Sequence, residues 1–344
     1  MTGPVMSGHG TGEPLLQVKD LRVQISSRRG IVRAVDGVSL DVPAGEAVGL
    51  VGESGSGKSM TLRAILGVLP PEASVTEGQV LLDGVDLTQL PNSQLNKIRG
   101  PKIAMIFQEP MSALNPVMRV GAQIAEGPQV HLGMNRAQSA ERALELMRRV
   151  GIPDPERRFR SYPHEFSGGM RQRVMIAIAL SCDPALILCD EPTTALDVTI
   201  QDQILRLLAR LCRDSGTSLV FVTHDLPVVA QVCHRLAVMY AGQIVEQGTV
   251  EEVLTKPCHP YTLGLVRSAP DVDQVRSSLA PIPGSPPSLV NPPSGCRFHP
   301  RCKFAEQDCT TTEPRLRLVN ADRATACLHF ERCLDELRTE GADI

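Results

Sequence analysis

The segment Gly52-Glu-Ser-Gly-Ser-Gly-Lys58-Ser59 constrains this chain more than any other. It matches G-x-x-x-x-G-K-[ST], follows the strand expected at Glu46–Val51 and opens a helical pattern, the strand–loop–helix context such a motif needs. Glycines let backbone N–H groups converge on phosphate oxygens, and the helix N-terminus adds a favourable dipole. Gly52, Glu53, Ser54, Gly55, Ser56, Gly57, Lys58 and Ser59 are therefore expected to hold a nucleotide polyphosphate, with Lys58 as point charge and the Ser59 hydroxyl on Mg²⁺. Strand–helix–strand alternation along the chain means a parallel sheet covered by helices, an α/β fold.

The surrounding pattern agrees. Leu16–Ile25, Ser39–Val42, Glu46–Val51, Gln79–Leu82 and Lys102–Phe107 read as strands punctuated by Gly and Pro. From Val117 to Arg149 the pattern turns helical, with Asn135 and Gln138 spaced as a capping box. Helices are expected at Gly169–Ser181 and Ile200–Arg213, strands at Ala185–Cys189 and Leu219–Thr223, and a hairpin of Leu236–Tyr240 and Gly242–Glu246 around Ala241–Gly242. The strand Leu186-Ile-Leu-Cys delivers Asp190 and Glu191 at its C-terminal edge, where open α/β sheets bind ligands. Asp190 suits Mg²⁺, and Glu191 suits polarising an attacking water.

Composition excludes other classes. A net charge of −3 gives no bulk attraction for nucleic acid, and 3% aromatics without Trp give no stacking surface. No apolar run approaches the ~18–20 residues of a membrane span. Residues 1–14 read as a frayed tail without the apolar stretch of a signal peptide, which points to the cytoplasm.

At Glu165-Phe-Ser167-Gly168-Gly169-Met-Arg-Gln172-Arg the chain resembles the signature motif of ABC-type ATPases. Gln108 resembles the family's Q-loop, Thr194-Ala-Leu-Asp197 its D-loop and His224 its switch histidine. The resemblance implies an ABC-type nucleotide-binding domain over residues 15–256, with a parallel core sheet, an antiparallel β subdomain and a helical subdomain at about 112–172. It also implies catalytic roles for Glu191, Gln108 and His224, metal contacts from Ser59, Gln108 and Asp190, and a head-to-tail dimer. In that dimer Ser167, Gly168, Gly169 and Gln172 would serve the partner's nucleotide. Many members stack adenine on an aromatic ring; Gly30-Ile-Val-Arg-Ala34 has none, leaving Ile31 or Val32 for apolar contact.

Gln108-Glu-Pro-Met-Ser-Ala-Leu-Asn115-Pro, the Met after Ser-Gly-Gly, His259-Pro-Tyr-Thr-Leu-Gly-Leu and Cys296-Arg-Phe-His-Pro-Arg-Cys302 look like the oligopeptide/dipeptide/nickel importer ATPases, D-type subunit. This resemblance implies an F-type ATPase partner, two integral membrane permease subunits and an extracytoplasmic substrate-binding protein. It places the chain at the cytoplasmic face of the membrane, driving uptake of oligo- or dipeptides, with nickel, glutathione or oligosaccharides as alternatives. A soluble ABC ATPase of repair or translation is the rival of another class. Repair types insert long coiled coils between loop and signature, and translation types carry two cassettes. A second rival is an iron–sulfur or redox sensor with an incidental nucleotide site.

Beyond Lys256 the composition shifts. Residues 281–300 hold seven prolines, which excludes helix interior and central strand and reads as an extended connector with little core. Residues 257–344 thus form a Pro/Cys-rich C-terminal extension. Within it Cys296, Cys302, Cys309 and Cys327 lack the short knuckle usual in structural zinc sites. Their looser spacing suits an iron–sulfur cluster, and some members of the resembling family carry [4Fe–4S] in this segment. Zinc and four free thiols are the alternatives. His299 and His329 are possible substitute ligands, and Cys333 is left over.

Overall fold

The computed structural model describes residues 13–109, 113–194, 196–268 and 281–339. Most of the expected N-terminal tail, residues 110–112 after the Q-loop and residue 195 of the D-loop lie outside the described residues. In chain order the strands are β1 (Leu16–Ser27), β2 (Gly30–Val42), β3 (Ala47–Val51), β4 (Ala73–Leu82), β5 (Val85–Asp86), β6 (Ile103–Ile106), β7 (Leu186–Asp190), β8 (Ser218–Thr223), β9 (Arg235–Tyr240), β10 (Gln243–Thr249), β11 (Arg317–Leu318) and β12 (Ala324–Thr325). The described residues fall into two compact units. One is drawn from Met1–Pro43, Ala47–Thr88 and Val222–Ile344, the other from Ala44–Glu46 and Gln89–Phe221.

The first unit carries two sheets. An antiparallel sheet of order β2-β1-β4-β5 is built from strands whose burial alternates, as one-sided sheets require. β2 begins at Gly30, nine residues before the expected strand start. Its first residues are exposed, so no apolar run announces them. The other sheet runs β11-β12-β10-β9-β3, with β3 parallel to β9. All five residues of β3 are buried, which explains their unbroken apolar sequence. The expected hairpin is present: β9 and β10 pair antiparallel across Ala241 and Gly242, both at positive φ (48° and 86°), as a two-residue turn of this hand demands.

Residues 281–298 carry no helix or strand, as the extended connector expected there requires, and beyond them the C-terminal extension is ordered. β12 adds to the edge of β10 and β11 to β12, the helix Glu331–Thr339 follows, and the Leu289 carbonyl accepts the Arg33 N–H at 3.0 Å. The expectation of little core fails because the extension docks on strands already formed and buries Phe298, Cys333, Ala324 and Thr325 there. Its anchor is Glu246, whose fully buried carboxylate accepts the N–H groups of Cys258 (2.8 Å) and His259 (2.9 Å) and the guanidinium of Arg323 (2.5 Å). Burial pushes the Glu246 carboxyl upward, opposed chiefly by Arg323.

In the second unit β6 and β7 pair in parallel, Ile103 opposite Leu186. The helical stretch from Val117 is two helices, Val120–Leu132 and Arg136–Arg149. Gly133, left-handed at φ 66°, ends the first, and Asn135 with Gln138 forms the expected capping box of the second. The helix Val198–Ser215 buries Ile204, Leu208 and Leu211 on one face. No helix among the described residues is long and apolar enough to cross a membrane.

Two outcomes follow from this packing. Arg323→Met leaves the Glu246 charge buried and should lower unfolding free energy by about 3–5 kcal/mol in a denaturant titration. Asp41 on β2 is the opposite case: burial pushes its carboxyl up to about 6 against the pull of Lys19 and Arg235. The folded state then holds the proton longer than the unfolded chain, so this group's contribution to stability falls as pH rises from about 4 to about 6. Asp41→Asn should therefore raise the melting temperature at pH 7.5 and leave it nearly unchanged at pH 4; a stabilisation on the order of 1 kcal/mol allows for solvent screening of this partly exposed group.

Candidate functional site: a phosphate loop and a carboxylate cluster

β3 ends in the phosphate loop, and the helix Lys58–Leu66 begins at its last residues. The loop is walled by backbone. A Cβ on Gly52 would sit 2.1 Å from the Met239 carbonyl oxygen, and one on Gly57 2.2 Å from that of Ala34. Both glycines also take positive φ, 155° and 107°. The tip of the β9–β10 hairpin braces the loop, Gly242 N–H donating to the Ser56 carbonyl at 2.9 Å. Inside the loop, the buried Lys58 Nζ donates to the carbonyls of Gly52 (2.7 Å) and Glu53 (2.9 Å). Two loop carbonyls thus hold the ammonium inside the loop, where it can meet phosphate oxygens.

Two residues that no motif assigned also grip this loop. Tyr261 Oη accepts the Glu53 N–H at 2.8 Å. Arg301 makes a two-bonded pair with the Glu53 carboxylate, Nη1–Oε2 2.7 Å and Nη2–Oε1 3.0 Å. That pairing holds the guanidinium above even its ordinary range. Both residues sit in segments that carried the family resemblance, His259-Pro-Tyr261-Thr and His299-Pro-Arg301-Cys302, yet nothing in the spacing said where they reach. Ile31, in the segment lacking an adenine-stacking ring, is 56% exposed on β2.

In the second unit, β7 buries Asp190 and places Glu191 just beyond its end. Glu191 takes a left-handed φ of 45°, uncommon for a side chain of its size. Thr194 Oγ1 donates to Glu191 Oε2 at 2.9 Å, and Gln108 Nε2 donates to the same oxygen at 3.3 Å. The structure thus brings together Gln108 and Glu191, 83 residues apart in sequence. Ser167 caps the helix Gly168–Ala179, its Oγ accepting the Met170 N–H at 3.4 Å, with Ser167 and Gly168 exposed. A Cβ on Gly169 would meet Ile200 at 2.6 Å, so the signature helix lies directly on the helix that Asp197 caps through the Ile200 N–H. Gln172 is buried, and its Nε2 has no partner among the described residues. His224 is exposed after β8, in the first unit, just before the helix Leu226–Val232.

The four cysteines singled out by spacing line one cavity with Phe298 and His299. Burial pushes all four thiols up, Cys302 to about 11 and Cys327 to about 12, and charge on the neighbouring thiols adds to this at Cys296, Cys302 and Cys327. Among the described residues, the one set of three His, Cys, Asp or Glu donors within 4.8 Å of one another is Asp308, Cys309 and His329. Cys333 is buried on the last helix and does not line the cavity.

Comparison with known proteins agrees with this geometry. A family model described as ABC transporter matches residues 35–194, and one described as oligopeptide/dipeptide transporter, C-terminal region, matches 245–309. The chain is 49% identical over 324 residues to a probable peptide ABC transporter ATP-binding protein, y4tR, of Sinorhizobium fredii, covering 94% of this chain and 97% of the relative. It is 52% identical to the dipeptide transport ATP-binding protein DppD of Lactococcus lactis, covering 85% and 84%. Among solved structures, the post-hydrolysis dimer of the ATP-binding cassette MJ0796 with ADP and Pi is 30% identical, with a TM-score of 0.62, over 68% of this chain and 98% of that one. An ATPase fold with its phosphate loop, signature helix and C-terminal region, matched nearly end to end, establishes that this chain belongs to the ABC transporter ATPases, in the branch of the oligopeptide and dipeptide transport ATP-binding proteins.

Proposed function

We propose that this chain is the ATP-hydrolysing motor subunit of an importer that takes up peptides, working from the cytoplasmic face of the membrane. The observation that carries the reading is the likeness of nearly the whole chain, C-terminal region included, to peptide-transport ATP-binding proteins. Residues 15–256 act as the ATPase and 257–344 as its C-terminal extension. The loop Gly52–Ser59 binds the ATP phosphates. Ser59, Gln108 and Asp190 offer the hard oxygen donors that Mg²⁺ prefers, and bound Mg²⁺ supplies neutralising charge to the phosphate oxygens. Glu191 accepts a proton from the attacking water, its carboxylate oriented by Gln108 and Thr194. His224 contacts the γ-phosphate. Ser167, Gly168 and Gly169 present an exposed helix N-terminus to the nucleotide of an F-type partner in a head-to-tail dimer, a site that Gln172 supports and Asp197 flanks. Two permease subunits and an extracytoplasmic binding protein complete the importer.

We infer that the cysteine cavity holds a [4Fe–4S] centre, as the looser spacing of the four cysteines suggests, with zinc as the alternative. Thiolates around a single tetrahedral zinc lie about 3.8 Å apart, from bonds of about 2.3 Å. The four thiols line one cavity, and the set of three donors within 4.8 Å of one another among the described residues includes one of them, Cys309, with Asp308 and His329. A multi-atom cluster spans wider gaps. Their upward-pushed thiols favour the neutral form until a cationic centre holds the thiolates. Cys296, Cys302, Cys309 and Cys327 would hold it, and its contribution is a tie across the extension.

Two experiments test these assignments. Lys58→Ala should abolish measurable ATP binding, while Glu191→Gln should keep binding and slow hydrolysis by about 10²-fold or more. Near-normal turnover by Glu191→Gln removes the carboxylate from its role. Metal analysis of anaerobically purified protein should return four irons per chain, with broad absorbance near ~400 nm. Replacing the four cysteines by Ser should bleach it and open residues beyond Pro281 to protease. One zinc without iron returns the site to structural zinc, and neither metal leaves four packing thiols.

A further inference from the structure

Glu53 is a carboxylate placed in a loop built to attract polyphosphate. Left unpaired, it would repel the ligand that the loop recognises. The structure surrounds it with three restraints: its N–H goes to Tyr261 Oη (2.8 Å), its carbonyl accepts from Lys58 Nζ (2.9 Å), and both carboxylate oxygens go to Arg301. Arg301 is not a surface lysine-like partner that drifts. Its side chain is 5% exposed, its Nε donates to the Pro283 carbonyl at 2.8 Å, and its guanidinium lies 5.7 Å from the Tyr240 ring centre and 5.9 Å from that of Phe298. Two parallel N–H···O bonds fix the carboxylate in orientation as well as charge.

We propose that Arg301, contributed by the C-terminal extension, is a positioning residue for nucleotide binding: it neutralises Glu53 and fixes the backbone whose Gly52 and Glu53 carbonyls aim Lys58. The proposal rests on the reading of Gly52–Ser59 as the ATP site. The neighbouring Arg297 makes a parallel contact, donating to the Ala241 carbonyl at 2.5 Å and pairing with Asp36, so the extension grips the hairpin tip that braces the loop as well as the loop itself.

The test measures ATP dissociation constants on the full chain by titration calorimetry, for wild type, Arg301→Met, Glu53→Gln and the double variant, at low and high salt. Wild type binding and loss on Lys58→Ala first establish the site; absence of binding by wild type refutes the site itself and not the role of Arg301. Arg301→Met should weaken ATP binding about tenfold. The loss should shrink at high salt, because an uncovered surface carboxylate is screened. It should be much smaller in the Glu53→Gln background, where no charge is left to uncover. Arg301→Lys should recover part of the affinity. Should Arg301→Met fail to fold, Arg301→Lys alone at low salt, with charge kept and the two-bonded geometry lost, should still bind ATP more weakly than wild type. Binding by the Arg301 variants equal to wild type, or an equal loss in both Glu53 backgrounds, overturns the proposal.

Discussion

The carboxylate of Glu246 is the interaction on which the C-terminal half of the first unit depends. It is fully buried, and it survives there because four donors reach it: two backbone N–H groups and two nitrogens of Arg323. The two N–H groups belong to Cys258 and His259, immediately ahead of the helix Pro260–Ser268. Fixing them fixes Tyr261, whose hydroxyl holds the phosphate loop, and Phe298 closes around the same rings, 5.5 Å from Tyr261 and 5.2 Å from Tyr240. A single desolvated charge thereby links a C-terminal arginine, an aromatic cluster and the nucleotide loop.

The carboxylate cluster of the second unit rests on a different device. Glu191 is held at a left-handed φ of 45°, a conformation that costs on the order of 1–3 kcal/mol for such a residue and persists only where the surroundings impose it. Thr194 and Gln108 both bond its carboxylate. These two bonds orient the carboxylate within the second unit. The close approach of Gly169 to Ile200 likewise sets the signature helix against the helix that follows Asp197.

Much of this was legible in the sequence because the chemistry there is local. The glycines and Lys58 of the phosphate loop, the Asn135–Gln138 capping box and the Ala241–Gly242 turn each declare themselves within eight residues. The apolar runs of β3 and β7 show because both faces are covered. What stayed hidden is long-range. β11 and β12 are two residues each, too short to show any periodicity, and they exist because β10 offers an edge. The reach from Arg301 to Glu53 spans 248 residues, and that from Gln108 to Glu191 spans 83. The prolines of 281–300 correctly excluded helix and central strand, but composition does not reveal how firmly an irregular segment docks. That depends on buried arginines at positions 297, 301 and 323, each of which finds a carboxylate elsewhere in the chain.

The walls of the phosphate loop have a genetic consequence. Gly52 and Gly57 face the carbonyl oxygens of Met239 and Ala34, atoms that every amino acid contributes identically. A side chain that crowds a neighbouring side chain can be accommodated by trimming the neighbour. One that crowds a peptide oxygen cannot, since no codon removes that oxygen. Substitutions at these two glycines are therefore closed to ordinary compensating changes at the contact, and lineages carrying this loop can drift in what surrounds it while the two positions stay locked.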